Sequence, residues 1–245
     1  DTLLDEFASH ASVKYPLNVA FHPSTEDVFI VDTYNHVIRK IDKVSDVITT
    51  VAGIPGVPGY DGDSGLATEA RLNYPKSIAF STGGQAMYIA DTANNCVRMV
   101  KDGIITTVAG NGTEGFGYDD VSATSTTLNN PFGVTVLPTT GDLLISDTFN
   151  HRIRKVDNSS GIITTIAGGG FDLGDNGPAT SATLSYPLGI VANSNGEIFI
   201  ADRGHYRIRK MDTSGVITTM AGTGTFGTYE EDNIQATSAR IGPIG

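Results

Sequence analysis

Short apolar segments alternate with polar, glycine-rich stretches along the whole chain. The apolar segments are four to seven residues long and rich in β-branched side chains, and Gly, Pro, Asn, Asp and Ser separate them. This pattern is typical of β-strands joined by turns rather than of amphipathic helices. It predicts an all-β protein.

The same order of segments recurs four times, and a proline marks the period. Successive prolines lie 59, 56, 56 and 56 residues apart, at Pro16, Pro75, Pro131, Pro187 and Pro243. Each repeat contains four apolar segments, which in the third repeat read FGVTV, LLISD, DTFNHRIRKVD and IITTIAG. Four strands at this period predict the blade of a β-propeller.

The four segments of a repeat differ as the strands of a radial blade should. The first segment has a small or short residue at its second position, namely Asn18, Ser77, Gly133 or Gly189, which suits the crowded axis of a propeller. The second segment is apolar at consecutive positions, which indicates that neighbouring blades cover both of its faces. The fourth segment carries paired threonines, which are typical of a rim strand that partly faces water.

The repeats predict one domain over residues 1–245. We expect blades at about residues 12–53, 72–110, 128–168 and 184–222, and the start of a fifth repeat at 240–245.

The third repeat, SDTFNHRIRKVDNSSGIITTIAGGGFDLGDNGPATSATLSYPLGI, resembles the NHL repeat family of β-propellers, and the similarity extends over nearly the whole chain. The resemblance implies four-stranded antiparallel blades. Members of this family commonly have about six blades, so four complete blades and the start of a fifth imply part of a larger ring. An open ring presents apolar blade faces, which predicts self-association.

An Asp ends the second strand of every repeat, at Asp32, Asp91, Asp147 and Asp202. These carboxylates either satisfy backbone N–H groups in a turn or act as metal ligands or acid–base groups. Every blade needs its turn, whereas catalysis needs one site, so we interpret them as structural joints. The arginines of the third strand are expected on a charged strand edge, at Arg39, Arg98, Arg154 and Arg209.

The charge balance limits the class of partner. Lys and Arg number 16 against 27 Asp and Glu, a net charge of −11, which disfavours nucleic acid as a partner, including the RNA that some NHL proteins bind. No apolar run reaches the roughly 18 residues of a membrane helix, so no membrane insertion is expected. Cys96 has no partner for an intramolecular disulfide and is expected in the core.

Two Asn-X-Ser/Thr triplets, at Asn111 and Asn158, fall in predicted loops and are candidates for glycosylation. They favour an extracellular or secretory-pathway location.

Acidic residues also cluster between the blades. Asp61 with Asp63, Asp119 with Asp120, and the stretch 230–232 resemble calcium loops in composition. They lack the alternation and the distal Glu of an EF-hand. Calcium therefore stays open as an alternative to the expectation that no cofactor is bound.

Catalytic signals are few. A lyase of the NHL family would hold a metal with histidines that converge on the axis, and the predicted inner strands contain no His. We therefore predict no catalytic and no metal-binding residue, and a propeller enzyme with an axial metal is the alternative function.

The predicted function is a non-catalytic scaffold, a module of a larger protein, that binds protein or glycan. We expect the binding surface on the face that carries the turns between the second and third strands and the crossovers between blades. Exposed aromatic rings among Gly, Asp and Ser are typical of such surfaces, although the rings could instead fix the crossovers to the blades. The candidate residues are Tyr34, Phe149, Arg203 and His205 in the turns, and Tyr60, Phe116, Tyr118, Phe171 and Tyr229 in the crossovers.

Overall fold

Strands and single-turn 3-10 helices make up the regular secondary structure in the computed structural model, which describes residues 6–227 and 234–242. Those ranges contain no α-helix. The strands form four antiparallel sheets, one for each repeat. The prediction of an all-β propeller with four blades is therefore confirmed.

The strands of the first two blades are β1 (Glu6–Phe7), β2 (Pro16–Phe21), β3 (Val28–Asp32), β4 (Val37–Ile41), β5 (Val47–Ala52), β6 (Ser77–Phe80), β7 (Ala86–Asp91), β8 (Cys96–Lys101) and β9 (Ile104–Ala109). Those of the last two are β10 (Val121–Ser122), β11 (Pro131–Val136), β12 (Leu143–Asp147), β13 (Arg152–Val156), β14 (Ile162–Gly168), β15 (Gly177–Pro178), β16 (Pro187–Ala192), β17 (Ile198–Asp202), β18 (Arg207–Met211) and β19 (Val216–Ala221). The 3-10 helices are Ala8–His10, Thr33–Asn35, Thr92–Asn94, Ala123–Ser125, Thr148–Asn150, Ala179–Ser181, Arg203–His205 and Ala236–Ser238.

Each blade is a meander that runs from an inner strand to the rim, and in the first, third and fourth blades the segment before the inner strand adds a further strand at the rim. In the third blade, β10 pairs with the rim strand β14 before the chain reaches the inner strand β11. β1 and β15 pair in the same way. The sequence pattern did not indicate these two-residue strands, because they are too short to show periodicity.

The hydrophobic core lies between the blades, with one cluster for each of the three joints. At the first joint, Ile38, Leu72 and Ile89 are fully buried. The second strand of the third blade, β12, is buried along its whole length, whereas β17 of the fourth blade alternates between buried and partly exposed positions. The difference arises because a blade with two neighbours has both faces covered.

The inner strands pack closely at the predicted small positions. Asn18 Oδ1 accepts the backbone N–H of Ile78 at 3.2 Å, which ties the first inner strand to the second. At Gly133, a Cβ atom would lie 2.3 Å from the carbonyl oxygen of Leu188, so only Gly fits. At Gly189 the nearest atom to such a Cβ is 3.8 Å away, because no following blade packs there within the described residues.

Three arginines of the third strands, Arg98, Arg154 and Arg209, are buried, so the prediction that they form a charged edge is wrong for them. Arg39 is partly exposed. Arg154 passes between its own blade and the preceding crossover. Its Nη1 lies 3.4 Å from Asp147 Oδ2 and its Nη2 lies 2.9 Å from Asp119 Oδ1. The side chain turns inward because two carboxylates compensate its charge there, which a water-facing strand edge would not require.

The repeated aspartates fix each blade to the crossover that enters it. Asp147 Oδ1 accepts the backbone N–H of Asn129 at 2.8 Å, and its Oδ2 accepts the amide of Asn150 at 2.8 Å. The corresponding backbone donors in the other repeats lie 2.7 Å from the carboxylates and are Lys14, Asn73 and Ser185. This geometry agrees with the interpretation of these residues as structural joints.

Candidate functional site

The turns between the second and third strands lie beside the entry of the next blade. Each turn is a single 3-10 turn that ends at a residue with left-handed backbone, and His36 and His151 occupy two of these positions. His36 Nδ1 accepts the backbone N–H of Tyr74 at 3.1 Å, and His151 Nδ1 accepts that of Tyr186 at 3.0 Å. Burial is the main cause that lowers the pKa of both imidazoles.

A tyrosine with unfavourable backbone geometry precedes the proline of three repeats. Tyr15, Tyr74 and Tyr186 each have φ 48. A bulky L-residue in this left-handed region loses about 1–2 kcal/mol relative to the right-handed one. The rings are nevertheless 39 to 68% exposed, so burial of the rings offsets little of that cost. Such strain is found where a side chain has to be held in a particular place.

These tyrosines and the residues of the turns form two clusters of exposed rings. The first aromatic cluster consists of Tyr15, Tyr34 and Tyr74, with centroid distances of 4.7 Å for Tyr15–Tyr34 and 5.3 Å for Tyr34–Tyr74. The second aromatic cluster consists of Phe149 and Tyr186, at 5.6 Å. Tyr34 and Phe149 are 44% and 51% exposed. Each cluster lies across a joint between two blades.

The joint between the second and third blades lacks these rings. Ala93 stands in the turn where the other joints have Tyr34 or Phe149, and Asn130 stands before the proline. Asn130 has the same left-handed backbone, with φ 50. The joint between the two aromatic clusters therefore has the same left-handed backbone before its proline as the other joints, but it has no aromatic side chains at these positions.

The structure places the four turn candidates differently. Tyr34 and Phe149 belong to the aromatic clusters. Arg203 is exposed at the turn of the fourth blade. The His205 side chain is partly buried, and its Nδ1 lies 2.9 Å from Asp202 Oδ2. That contact corresponds to the one that Asn makes in the other repeats, so His205 has a structural partner.

The crossover candidates fall into two groups. The Tyr60 hydroxyl lies 3.0 Å from Thr107 Oγ1, and the guanidinium of Arg152 lies over the ring of Phe116, 4.2 Å from its centroid. These two rings fix the crossovers. Tyr118 is 81% exposed and Phe171 is fully exposed. The remaining candidate, Tyr229, lies outside the described residues.

Sequence reasoning missed Tyr15, Tyr74 and Tyr186, although a signal existed. A Tyr-Pro dipeptide begins three of the four repeats. An aromatic residue that recurs immediately before a turn proline is a pattern that the sequence alone could have shown.

Carboxylates of the acidic crossovers form ion pairs with buried arginines at the joints between blades. Asp63 and Asp119 bind the buried arginines Arg98 and Arg154 at 2.6 and 2.9 Å. In the part of the chain that the structure describes, no group of three or more His, Cys, Asp or Glu side chains could hold a metal ion. The stretch 230–232 lies outside that part. Calcium binding thus has a competing structural explanation at two of the three predicted clusters.

Three further sequence predictions concern single residues. Cys96 is fully buried, as expected, and burial raises the pKa of its thiol well above the usual range. Asn111 and Asn158 are exposed in loops. Glycosylation and an extracellular location stay predictions.

Within residues 6–227 and 234–242, no helix has the length and apolar character to cross a bilayer.

Comparison with known proteins places the repeats in a family. The model of the Teneurin NHL domain matches residues 171–237. The chain is 30% identical over 228 residues to the Arabidopsis thaliana protein SUPPRESSOR OF QUENCHING 1, chloroplastic, covering 89% of this chain and 22% of that protein. It is 33% identical over 103 residues to human NHL repeat-containing protein 2, covering 40% of this chain and 14% of that protein. The chain therefore spans about a fifth or less of these two relatives.

One solved structure shows the same fold at low identity. An auxiliary nutrient binding protein from Bacteroides ovatus superposes with a TM-score of 0.63 at 18% identity, covering 85% of this chain and 49% of that one. The repeats, the four blades and these matches agree, and this chain belongs to the NHL-repeat β-propellers.

Proposed function

We propose that this chain is an interaction module and that its two aromatic clusters bind a protein partner. The observation that carries the proposal is the group of five exposed rings beside the joints, three of them on left-handed backbone. A Gly at those three positions would adopt the left-handed conformation without steric strain. The three tyrosines keep this unfavourable backbone conformation although burial of their rings does little to offset its cost.

Packing among the rings prepares them for binding. Tyr74 makes edge-to-face contacts with Tyr34 and with the His36 ring, whose centroid is 4.5 Å away. Tyr186 makes the same kinds of contact with Phe149 and His151. Rings that are already held by neighbours lose little conformational freedom on binding. Tyrosine is also enriched among the residues that dominate protein interfaces.

The surroundings of the histidines favour binding over the alternative of a propeller enzyme. The His36 and His151 Nδ1 atoms accept backbone hydrogen bonds. His22 Nε2 lies 3.1 Å from the carbonyl oxygen of Gly84. None of these imidazoles belongs to the lining of the axial pocket, where a propeller enzyme would hold its metal.

The chain itself supplies the design of the test. The joint between the second and third blades has Ala and Asn at the positions where the aromatic clusters have rings. The variant with Tyr34→Ala, Tyr74→Asn, Phe149→Ala and Tyr186→Asn therefore copies a joint that already exists in this fold. Asn tolerates left-handed backbone, so we expect the variant to fold. A control with Tyr118→Ala and Phe171→Ala removes two rings from the crossovers that are more exposed than the four replaced residues.

The measurement is capture by the immobilised chain, read by quantitative mass spectrometry and followed by titration of the purified partner. We expect a partner that the wild type and the control retain and that the four-residue variant binds at least about tenfold more weakly, which is 1.4 kcal/mol. Equal affinity for the variant would contradict the proposal. If no such protein is found, but the wild type binds a glycan more tightly than the variant does, the aromatic clusters would instead be a glycan-binding site.

A further inference from the structure

A separate pocket lies at the axis of the propeller. The inner strands of all four blades contribute to its wall, and its volume is about 710 Å³. The wall is mainly apolar and includes Val19, Ile78, Val134 and Ile190, with Phe132 among the aromatic side chains. An apolar wall with few polar groups is the usual composition of a small-molecule site.

Lys76 lies beside this wall: it does not itself line the pocket, but its ammonium contacts Phe132, which does. It stands between Pro75 and the start of β6, and its ammonium lies over the ring of Phe132, 4.9 Å from the centroid. The side chain is partly buried, and desolvation lowers its pKa. Among the described residues, no carboxylate oxygen lies within 4.0 Å of the Lys76 nitrogen.

The other lysines of the described chain are in different surroundings. Four of them pair with carboxylates, namely Lys40, Lys43, Lys155 and Lys210. Lys14 and Lys101 are exposed to water. A partly buried cation normally has an anionic partner, because its desolvation is otherwise uncompensated. This is notable in a chain with 11 more acidic than basic residues.

We propose that the axial pocket binds a small organic carboxylate with an apolar body, and that the carboxylate pairs with the Lys76 ammonium. The apolar wall fits the body of such a ligand, and the single ammonium fits a single negative charge. Multiply charged anions are disfavoured by the net charge of −11. This site is independent of the aromatic clusters, so it goes beyond the proposed function.

The position of the ammonium also favours this ligand. Contact with the Phe132 ring holds the cation in place by a cation–π interaction. Since the ammonium is already partly desolvated in the free protein, pairing with a carboxylate costs less than it would at an exposed lysine. Hydrogen bonds to charged groups contribute about 1.5–3 kcal/mol, which corresponds to roughly 10- to 150-fold in affinity.

The test titrates the whole 245-residue chain with decanoate and with decanol by isothermal titration calorimetry. We expect saturable binding of decanoate and weaker binding of decanol. Lys76→Met should weaken decanoate binding at least about tenfold and leave decanol binding unchanged. The matched control, Lys101→Met, removes the same charge from an exposed site and should bind both as the wild type does.

A second measurement does not depend on the folding of the Met variant. Lysines carrying ¹³C-dimethyl groups are observed by NMR in the wild-type background, and the Lys76 signal is assigned by its loss in Lys76→Arg. Decanoate should shift the Lys76 signal and leave that of Lys101 in place. No decanoate binding by the wild type, an unchanged Lys76 signal, or equal affinity of folded Lys76→Met would each overturn the proposal.

Discussion

Removal of the buried guanidinium of Arg154 should be among the most damaging single changes in this fold. The side chain has no exposed surface, and it contacts Asp147, Asp119 and the carbonyl oxygen of Tyr118. Arg154→Met keeps much of the apolar stem and removes the charge with its hydrogen bonds. The variant therefore isolates the contribution of the joint.

The cost follows from what remains behind. Asp147 is fully buried, and desolvation already raises its pKa with Arg154 in place. Without the guanidinium, Asp147 keeps only the N–H of Asn129 and the amide of Asn150 as partners. Removing one member of a buried ion pair costs about 3–5 kcal/mol, which corresponds to a fall in Tm on the order of 10 °C for a domain of this size. Loss of a single turn hydrogen bond would cost only about 1 kcal/mol.

Urea denaturation followed by far-UV circular dichroism and tyrosine fluorescence measures this cost. Arg152→Met, which changes a partly exposed arginine on the same strand, is the control and should cost less than about 1 kcal/mol. The double variant Asp147→Asn with Arg154→Met should cost less than the sum of the two single variants, because each single change leaves a charge without its partner. A loss below about 1 kcal/mol for Arg154→Met would refute the reasoning.

Three other outcomes are expected. Gly133→Ala should lower the free energy of unfolding by at least about 1–3 kcal/mol, because its Cβ would overlap a backbone oxygen at 2.3 Å. Gly189→Ala should change it by no more than about 0.5 kcal/mol. The midpoints of urea denaturation measure both. Since the pKa values of His36 and His151 are lowered in the fold, their contribution to stability is complete above the unfolded value of 6.5 and is lost as pH falls below it. Replacing both by Asn should flatten the dependence of Tm on pH between about 7.5 and 5, and an unchanged slope would contradict this assignment. Phe199 is partly exposed on the last blade and also belongs to the lining of the axial pocket, so the isolated chain should self-associate or bind an apolar dye through this apolar surface, and Phe199→Gln should reduce both in light scattering and fluorescence.

The sequence by itself determined the architecture of the blades. A repeat of 56 to 59 residues and β-branched segments of regular order are local signals. Each of them constrains the chain without knowledge of its neighbours. The small residue at Gly133 and the buried thiol of Cys96 were predictable for the same reason. Each follows from the place of one residue within its own repeat.

The assignment of the charged side chains needed the tertiary structure. Arg154 occurs in a strand beside Lys155 and reads as part of a polar edge, yet it is fully buried and Lys155 is partly exposed. Its direction is set by Asp119, which lies 35 residues earlier in the chain. Sequence periodicity describes a strand, but it does not show which carboxylate of another segment will compensate a buried charge.

The candidate sites were also decided by contacts between repeats. Tyr34 meets Tyr74 across a joint, and Lys76 meets Phe132 across the next one. No single repeat contains either pair, so the pattern within a repeat cannot reveal them. The packing of blades around an axis brings these side chains together, because it juxtaposes residues of successive repeats.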